Sequence, residues 1–143
     1  YQQAKARQEE ALALLDGGTA DPIPFDEALR HCDKVLVVLT RGREYVKKPA
    51  PAPWIYRRAL RAYPNMSRTC ADRHRVYNDQ RARLADLVAA GKALAFYPDR
   101  MDIDVFERRP ERLHAVYANG RAQAQARLAE VRAFLAGSEM LPE

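Results

Sequence analysis

A carboxylate followed by two glycines is the feature of this chain that is best suited to chemistry. Residues 15–24 read Leu-Asp-Gly-Gly-Thr-Ala-Asp-Pro-Ile-Pro, and the apolar run 35–39 follows soon after. Glycine accepts backbone conformations that other residues avoid and lets other segments approach closely, so Asp16 is a candidate general base. Asp21 precedes a proline and is expected to accept backbone hydrogen bonds in the turn, with support of Asp16 as its alternative role. For Asp16 the alternative is a role in the turn, because Asp-Gly sequences often bond nearby backbone amides.

The sequence offers no evident nucleophile for such a base. It contains two serines, Ser67 and Ser138, and neither lies in a Gly-x-Ser-x-Gly motif. That motif forms the tight turn that exposes the nucleophilic serine of many hydrolases. No glycine-rich segment that could supply oxyanion donors is present either. We therefore expect the nucleophile to lie upstream of Tyr1, and we expect this chain by itself to be inactive.

Several short motifs follow one another between residue 15 and about residue 124. They are Asp16-Gly17-Gly18 with Asp21-Pro22-Ile23-Pro24, the apolar run 35–40 with Arg41, Glu44-Tyr45 and Lys47-Lys48-Pro49, Arg61 with Tyr63-Pro64, Arg73 with Tyr77-Asn78, Phe96 with Pro98, and Leu113 with Tyr117 and Gly120. This series resembles the bacterial patatin-like phospholipases, and its later members resemble the C-terminal extension of one bacterial branch. Residues 1–14 depart from the family, because they favour a helix where the family has a strand.

The resemblance implies both a fold and an activity. It implies an α/β protein in which residues 1–53 are the C-terminal segment of a three-layer α/β/α catalytic domain with a mostly parallel sheet. Residues 54–143 would form a mainly helical extension with one strand. The implied activity is hydrolysis of lipid or other carboxyl esters through an acyl-enzyme on an upstream serine. Asp16 would be the general base, Gly17 and Gly18 would support its motif, and no metal or organic cofactor would take part.

Composition places looser bounds on the protein. The chain has 143 residues and no apolar run long enough to span a membrane. We expect a cytoplasmic protein or one peripheral to a membrane, and export stays open because we interpret the N-terminus as missing. Cys32 and Cys70 lack Cys-x-x-Cys spacing and predict reduced thiols. The three histidines are widely separated and predict no metal site. No feature of the sequence indicates an oligomeric state.

Positive charge is concentrated in residues 41–83, which hold twelve Lys and Arg against three acidic residues. Aromatic residues interleave with these cations: Tyr45, Trp54, Tyr56, Tyr63 and Tyr77. The mixture suits an anionic lipid surface or nucleic acid, and it also suits the solvated surface of an arginine-rich protein. We predict that Arg43, Lys47 and Lys48 face an anionic membrane, and nucleic acid is the less favoured partner. The alternative function is a non-catalytic module that binds nucleic acid or acidic membrane through residues 41–83.

The apolar pattern and the positions of proline and glycine predict alternating helices and strands. The predicted elements are a helix at 24–32, a strand at 35–40, a loop at 41–53, a helix at 54–62, a helix from Asn65 to Gly91, a strand at 93–97, a helix from Pro110 that breaks at Asn119-Gly120, and a helix at 121–135. The first strand has no polar alternation, so we expect helices to cover both of its faces, as in a parallel sheet.

Overall fold

The computed structural model describes residues 17–104 and 106–136. The protein is mixed α/β, which confirms the predicted class, and 55% of the described residues are helical. Its elements are a 3-10 turn at Gly17–Thr19, α1 (Phe25–Ala28), β1 (Val35–Val38), α2 (Pro53–Ala59), α3 (Pro64–Ala89), β2 (Ala93–Phe96), α4 (Pro110–Ala126) and α5 (Leu128–Leu135). In the described residues no helix combines the length and apolar character that crossing a bilayer requires.

The two strands pair in parallel, in a register that aligns Val35 with Ala93 and Val38 with Phe96. Parallel strands need a long crossover, and residues 39–92, with α2 and α3, provide it here. The prediction that β1 is covered on both faces is wrong. Val35 is 7% exposed, whereas Val38 is 71% exposed. Side chains alternate between the faces of a strand, so one face of β1 enters the core and the other remains accessible.

The longest helix, α3, has a start and an end that follow from its sequence. Proline lacks an N–H and is well suited to the first helical turn, which is where Pro64 lies. Gly91 adopts a φ of +69°, a conformation that L-residues rarely take. Its backbone N–H donates a hydrogen bond to the carbonyl oxygen of Val88 at 3.1 Å, and the N–H of Lys92 donates one to the carbonyl oxygen of Leu87 at 2.9 Å. This hydrogen-bond pair is a Schellman motif, and the predicted stop at Gly91 is confirmed.

The predicted break at Asn119-Gly120 is wrong, because α4 runs unbroken from Pro110 to Ala126. A glycine inside a helix costs only about 1 kcal/mol relative to alanine, and the neighbouring alanines offset part of that cost. The interruption falls at Arg127 instead, between α4 and α5. The helix predicted at 24–32 is also shorter, because α1 ends at Ala28. Cys32 and Cys70 carry free thiols, as predicted.

The chain divides into two compact units. The described part of the first unit consists of residues 17–24 and 47–81, and its buried residues are Ile23, Ser67, Tyr77 and Gln80. The described part of the second consists of residues 25–46 and 82–136, and its buried residues are Phe25, Val35, Leu39, Leu84, Ala93 and Ala95. Helix α3 contributes residues to both units. The predicted division between residues 53 and 54 stays a prediction.

Candidate functional site

The turn that follows the candidate base is compact. Asp16 lies outside the described residues, and Gly17–Thr19 form one turn of 3-10 helix. The backbone N–H groups of Ala20 and Asp21 both donate to the carbonyl oxygen of Gly17, at 3.0 and 2.9 Å. Among the described residues only Gly91 has a positive φ, so Gly17 and Gly18 do not use the left-handed region. The two glycines therefore act through local hydrogen bonding rather than through an unusual backbone angle.

Two side chains of α3 hold this turn at its two ends. The Nε of Arg73 donates to the carbonyl oxygen of Gly18 at 3.0 Å. At the other end, Gln80 donates from Nε2 to the Asp21 carboxylate. The Oε1 of Gln80 also accepts the backbone N–H of Ile23 at 3.1 Å. Arg73 and Gln80 are seven residues apart, which places them two turns apart on one side of the helix.

Gln80 is a buried polar residue with both ends of its amide engaged. It is 7% exposed, and Ile23, which it binds, is 4% exposed. Buried polar groups are almost always hydrogen-bonded, and here the partners lie 57 and 59 residues away in sequence. Asp21 is predicted to accept backbone hydrogen bonds within the turn, whereas the structure shows its carboxylate accepting one from the side chain of Gln80 on α3. The residues after Asp16 are therefore tied to a helix that lies far along the chain.

A second anchor on α3 fixes the basic loop. The Oδ1 of Asn78 accepts the backbone N–H of Lys47 at 2.9 Å, and its Nδ2 donates to the Lys47 carbonyl oxygen at 3.0 Å. The Nζ of Lys47 lies 5.3 Å from the ring centroid of Tyr77, within the range of a cation–π contact. Lys48, the next residue, is exposed. The loop is therefore held at Lys47 by both backbone and side chain.

The three predicted membrane-facing cations are divided between the two units. Lys47 and Lys48 belong to the first unit, and Arg43 belongs to the second. The guanidinium carbon of Arg43 lies 4.7 Å from the ring centroid of Tyr97. At least two of the three cations therefore pack on aromatic rings, an arrangement that covers the ring and holds the long side chain in place.

An apolar groove of about 440 Å³ lies in the second unit, on the accessible face of the sheet. Leu36, Val38 and Phe96 line it from the strands. Helices α4 and α5 add Val116, Asn119, Gly120, Gln123, Ala124, Leu128 and Val131, and the segments after the two strands add Leu39, Thr40, Tyr97, Pro98, Arg100 and Met101. The Asn-Gly pair at which we predicted a break in α4 therefore contributes to the wall of a groove.

Two of the four acidic residues between 99 and 107, Asp102 and Glu107, form ion pairs with arginines. Glu107 is the most enclosed of them, with a side chain that is 8% exposed and ion pairs to Arg109 at 2.9 Å and Arg112 at 3.0 Å. Hydrogen bonds from the Arg109 side chain and backbone lower the pKa of Glu107 from 4.5 to about 2. No group of three potential metal ligands comes together within the part of the chain that the structure describes.

Sequence reasoning missed the roles of three residues on α3. Arg73 and Asn78 enter the sequence analysis only as part of a motif series. Gln80 lies within the helix predicted from Asn65 to Gly91, at helical spacing from the apolar side chains of Tyr77 and Leu84. A glutamine on such an apolar face was the available signal, because a polar group there must find a partner. The identity of that partner could not be read from the helix itself.

These contacts define an α/β protein in which one long helix anchors two loops. By sequence the chain belongs to the family described as a domain of unknown function (DUF6363), whose model matches residues 63–136, more than half of the chain. The match includes all three anchoring residues of α3 and excludes the Asp-Gly-Gly motif. No curated protein and no solved structure matches the chain.

Proposed function

We propose that this chain is the C-terminal part of a lipid acyl hydrolase in which Asp16 is the general base. The observation that carries the proposal is the double anchoring of the residues after Asp16, at Gly18 by Arg73 and at Asp21 by Gln80. A general base works only when its position is fixed to within hydrogen-bond reach of the proton it accepts. The anchoring of Gly18 and Asp21 to a long helix supports such a role for the residue that precedes the turn. The ordered motif series adds the substrate class.

In the proposed reaction an upstream serine attacks the ester carbonyl, and Asp16 accepts the hydroxyl proton. The proton passes to the departing alcohol, which leaves an acyl-enzyme. Water then attacks the acyl-enzyme, Asp16 accepts its proton, and the serine leaves with that proton as the carboxylic acid is released. Arg73 and Gln80 are positioning residues in this scheme, because they act on the turn and not on the substrate.

The proposal extends to fold and location. The parallel pair of β1 and β2 would belong to a larger sheet in a three-layer α/β/α domain. The substrate would be a lipid or another acyl ester, with Arg43, Lys47 and Lys48 near an anionic membrane surface. The supporting observation for the last point is the anchored position of Lys47, one strand beyond the motif. A basic residue near such a surface contributes about 1 kcal/mol of attraction.

Replacing Asp16 in the protein with its upstream residues tests this assignment. Asp16→Asn keeps the size of the side chain and removes its basicity, so we expect kcat on a soluble ester to fall by about 10²–10⁴-fold with an unchanged circular dichroism spectrum. Asp21→Asn is the matched control, because its amide oxygen can still accept a hydrogen bond from Gln80. We expect this control to retain substantial activity.

Two results contradict the proposal. One is an Asp16→Asn protein that keeps most of its ester hydrolysis. The other is labelling of Ser67 or Ser138 by a fluorophosphonate probe in the 143-residue chain alone, because the nucleophile would then lie in this segment. A protein without esterase activity that binds anionic vesicles or nucleic acid through residues 41–83 favours the non-catalytic module instead.

A further inference from the structure

Three arginines line one open cavity in the first unit. Arg57 lies on α2, Arg61 in the turn that follows α2, and Arg68 near the start of α3. The cavity has a volume of about 690 Å³. Its remaining lining residues are Pro53, Leu60, Pro64, Ser67, Ala71 and Asp72. Consecutive pieces of chain, two helices and their connecting turn, thus place three guanidinium-bearing side chains around the same space.

The side chains of these three arginines have no polar or aromatic partner among the described residues. None of them makes an ion pair, a hydrogen bond from its side chain or a ring contact with another described residue. Other arginines of the chain do form ion pairs: Arg30, Arg75, Arg83, Arg100, Arg109, Arg112 and Arg127. The one acidic residue in the cavity lining, Asp72, pairs with Arg75 at 3.8 Å. The cavity therefore carries an excess of positive charge that the described residues do not neutralise.

The start of α3 adds to this positive potential. The helix spans 26 residues, and its first turn contains no acidic residue. The first N–H groups of a helix lack partners within the helix, and its N-terminal end attracts anions. Pro64 and Ser67 of this helix start also line the cavity, so an anion bound there lies beside the N-terminal end of α3.

A buried hydroxyl also lines the cavity. Ser67 is 5% exposed, and its Oγ has no hydrogen-bond partner among the described residues. Every fully buried side-chain nitrogen or oxygen atom of the described residues has a hydrogen-bond partner. The Ser67 hydroxyl must therefore keep some access to the cavity, where it can donate to a bound group.

We propose that this cavity binds a phosphate group. The planar guanidinium of arginine donates paired hydrogen bonds that match the geometry of phosphate oxygens. The cavity lies in the size range of small-molecule pockets, so it can hold a phosphate ester together with part of its alcohol. The phosphate can belong to a lipid headgroup or to a soluble ester. The proposal is independent of the hydrolase assignment, because it uses neither Asp16 nor the turn that follows it.

Binding measurements on the 143-residue chain test the proposal. The soluble probes are inorganic phosphate and glycerol 3-phosphate, measured by titration calorimetry. The membrane probe is phosphatidylcholine vesicles with a minor fraction of phosphatidic acid, compared with phosphatidylcholine alone in a flotation assay. The test variant carries Arg57→Gln, Arg61→Gln and Arg68→Gln. We expect it to bind at least about tenfold more weakly than the unmodified chain, a loss of about 1.4 kcal/mol.

The control variant removes the same charge from exposed positions outside the cavity, with Arg58→Gln, Arg108→Gln and Arg132→Gln. We expect its affinity for each probe to match that of the unmodified chain. Because the two variants have equal net charge, a difference between them assigns the effect to the cavity. If the test variant does not fold by circular dichroism, the single changes at Arg57 and Arg68 replace it.

Ser67→Ala separates a ligand-binding hydroxyl from a structural one. We expect it to weaken phosphate binding while the free energy of unfolding without phosphate stays unchanged, because the Oγ makes no hydrogen bond within the described chain. If the unmodified chain binds glycerol 3-phosphate saturably and the test variant does not, the ligand is a soluble phosphate ester. If the test variant loses only its binding to phosphatidic acid vesicles, the ligand is a lipid headgroup.

Several results overturn the proposal. Equal losses in the test and control variants mean that the binding depends on net charge alone. Absence of binding to every phosphate probe removes the site altogether. Binding to oligothymidylate but to none of the phosphate probes makes the segment a nucleic-acid surface instead.

Discussion

Replacing Gln80 by alanine is the most direct perturbation of the anchored turn. The amide of Gln80 donates to the Asp21 carboxylate and accepts the N–H of the buried Ile23. Alanine keeps the helix, because it has the highest helix propensity of all residues. The substitution therefore removes one of the two links between α3 and the motif turn, leaves the Arg73–Gly18 contact in place, and does not disturb the backbone of α3 itself.

The expected cost follows from the two lost hydrogen bonds. A buried N–H without an acceptor costs about 1–3 kcal/mol, and this applies to Ile23. A hydrogen bond to a charged group contributes about 1.5–3 kcal/mol, but Asp21 is exposed, so water replaces much of that bond. We expect a total loss of about 2 kcal/mol in local stability, which corresponds to about a thirtyfold change in an equilibrium constant.

Native-state hydrogen exchange of the Ile23 amide measures this loss of local stability directly. We expect Gln80→Ala to accelerate exchange at Ile23 by about thirtyfold. Asp79→Ala is the matched control, because Asp79 is the preceding residue of α3 and is exposed. Surface substitutions of this kind change stability by less than about 0.5 kcal/mol. An Ile23 amide that exchanges equally slowly in both variants would refute the anchoring role of Gln80.

Three further predictions concern other parts of the chain. Gly91→Ala forces alanine into a left-handed conformation and should lower stability by about 1–2 kcal/mol. Gly120→Ala should raise stability by about 0.5–1 kcal/mol, because Gly120 lies within α4 and a Cβ there meets no atom within 4 Å. Thermal unfolding of both variants checks these opposite signs, and a loss of stability at Gly120 would contradict the second. Glu107 should titrate near pH 2, because hydrogen bonds from Arg109 favour its charged form. A group whose folded-state pKa is lowered stabilises the fold at neutral pH and loses that effect as pH falls from about 4.5 toward 2. The pH dependence of the NMR chemical shift of the Glu107 carboxyl carbon measures this pKa directly. A titration midpoint near pH 4.5 would contradict the prediction. Glu107→Gln should remove the same acid-dependent loss.

The sequence predicted correctly those helix ends that depend only on neighbouring residues. Gly91 ends α3 because its positive φ suits glycine, and Pro64 begins the helix because it needs no N–H partner there. The parallel pairing of β1 with β2 agrees with the apolar run in β1. The exposed face of β1 was not predictable in this way, because burial of Leu36 and Val38 depends on which elements cover the sheet. The continuous helix through Gly120 shows that one helix breaker is too weak to act alone.

The candidate site depends on contacts that no local pattern contains. The sequence drew attention to residues 16–24 and to Lys47, but not to the helix that holds them. Gln80 and Ile23 are 57 residues apart, and Asn78 and Lys47 are 31 apart. A sequence pattern can indicate that Gln80 needs a partner, whereas only the tertiary fold selects which group it receives.

The spacing of the anchoring residues Arg73, Asn78 and Gln80 on α3 restricts where residues can be inserted into the chain. Gln80 lies almost directly above Arg73, whereas Asn78 lies about 140° around the helix from Arg73. Inserting one residue between positions 73 and 80 would turn Gln80 away from Asp21 by about 100°. Residues 48–52 have no regular structure and follow the anchored Lys47, so an insertion there leaves all three anchors in register. We therefore expect insertions in that loop to be tolerated and insertions in the middle of the helix to break the contact between Gln80 and Asp21.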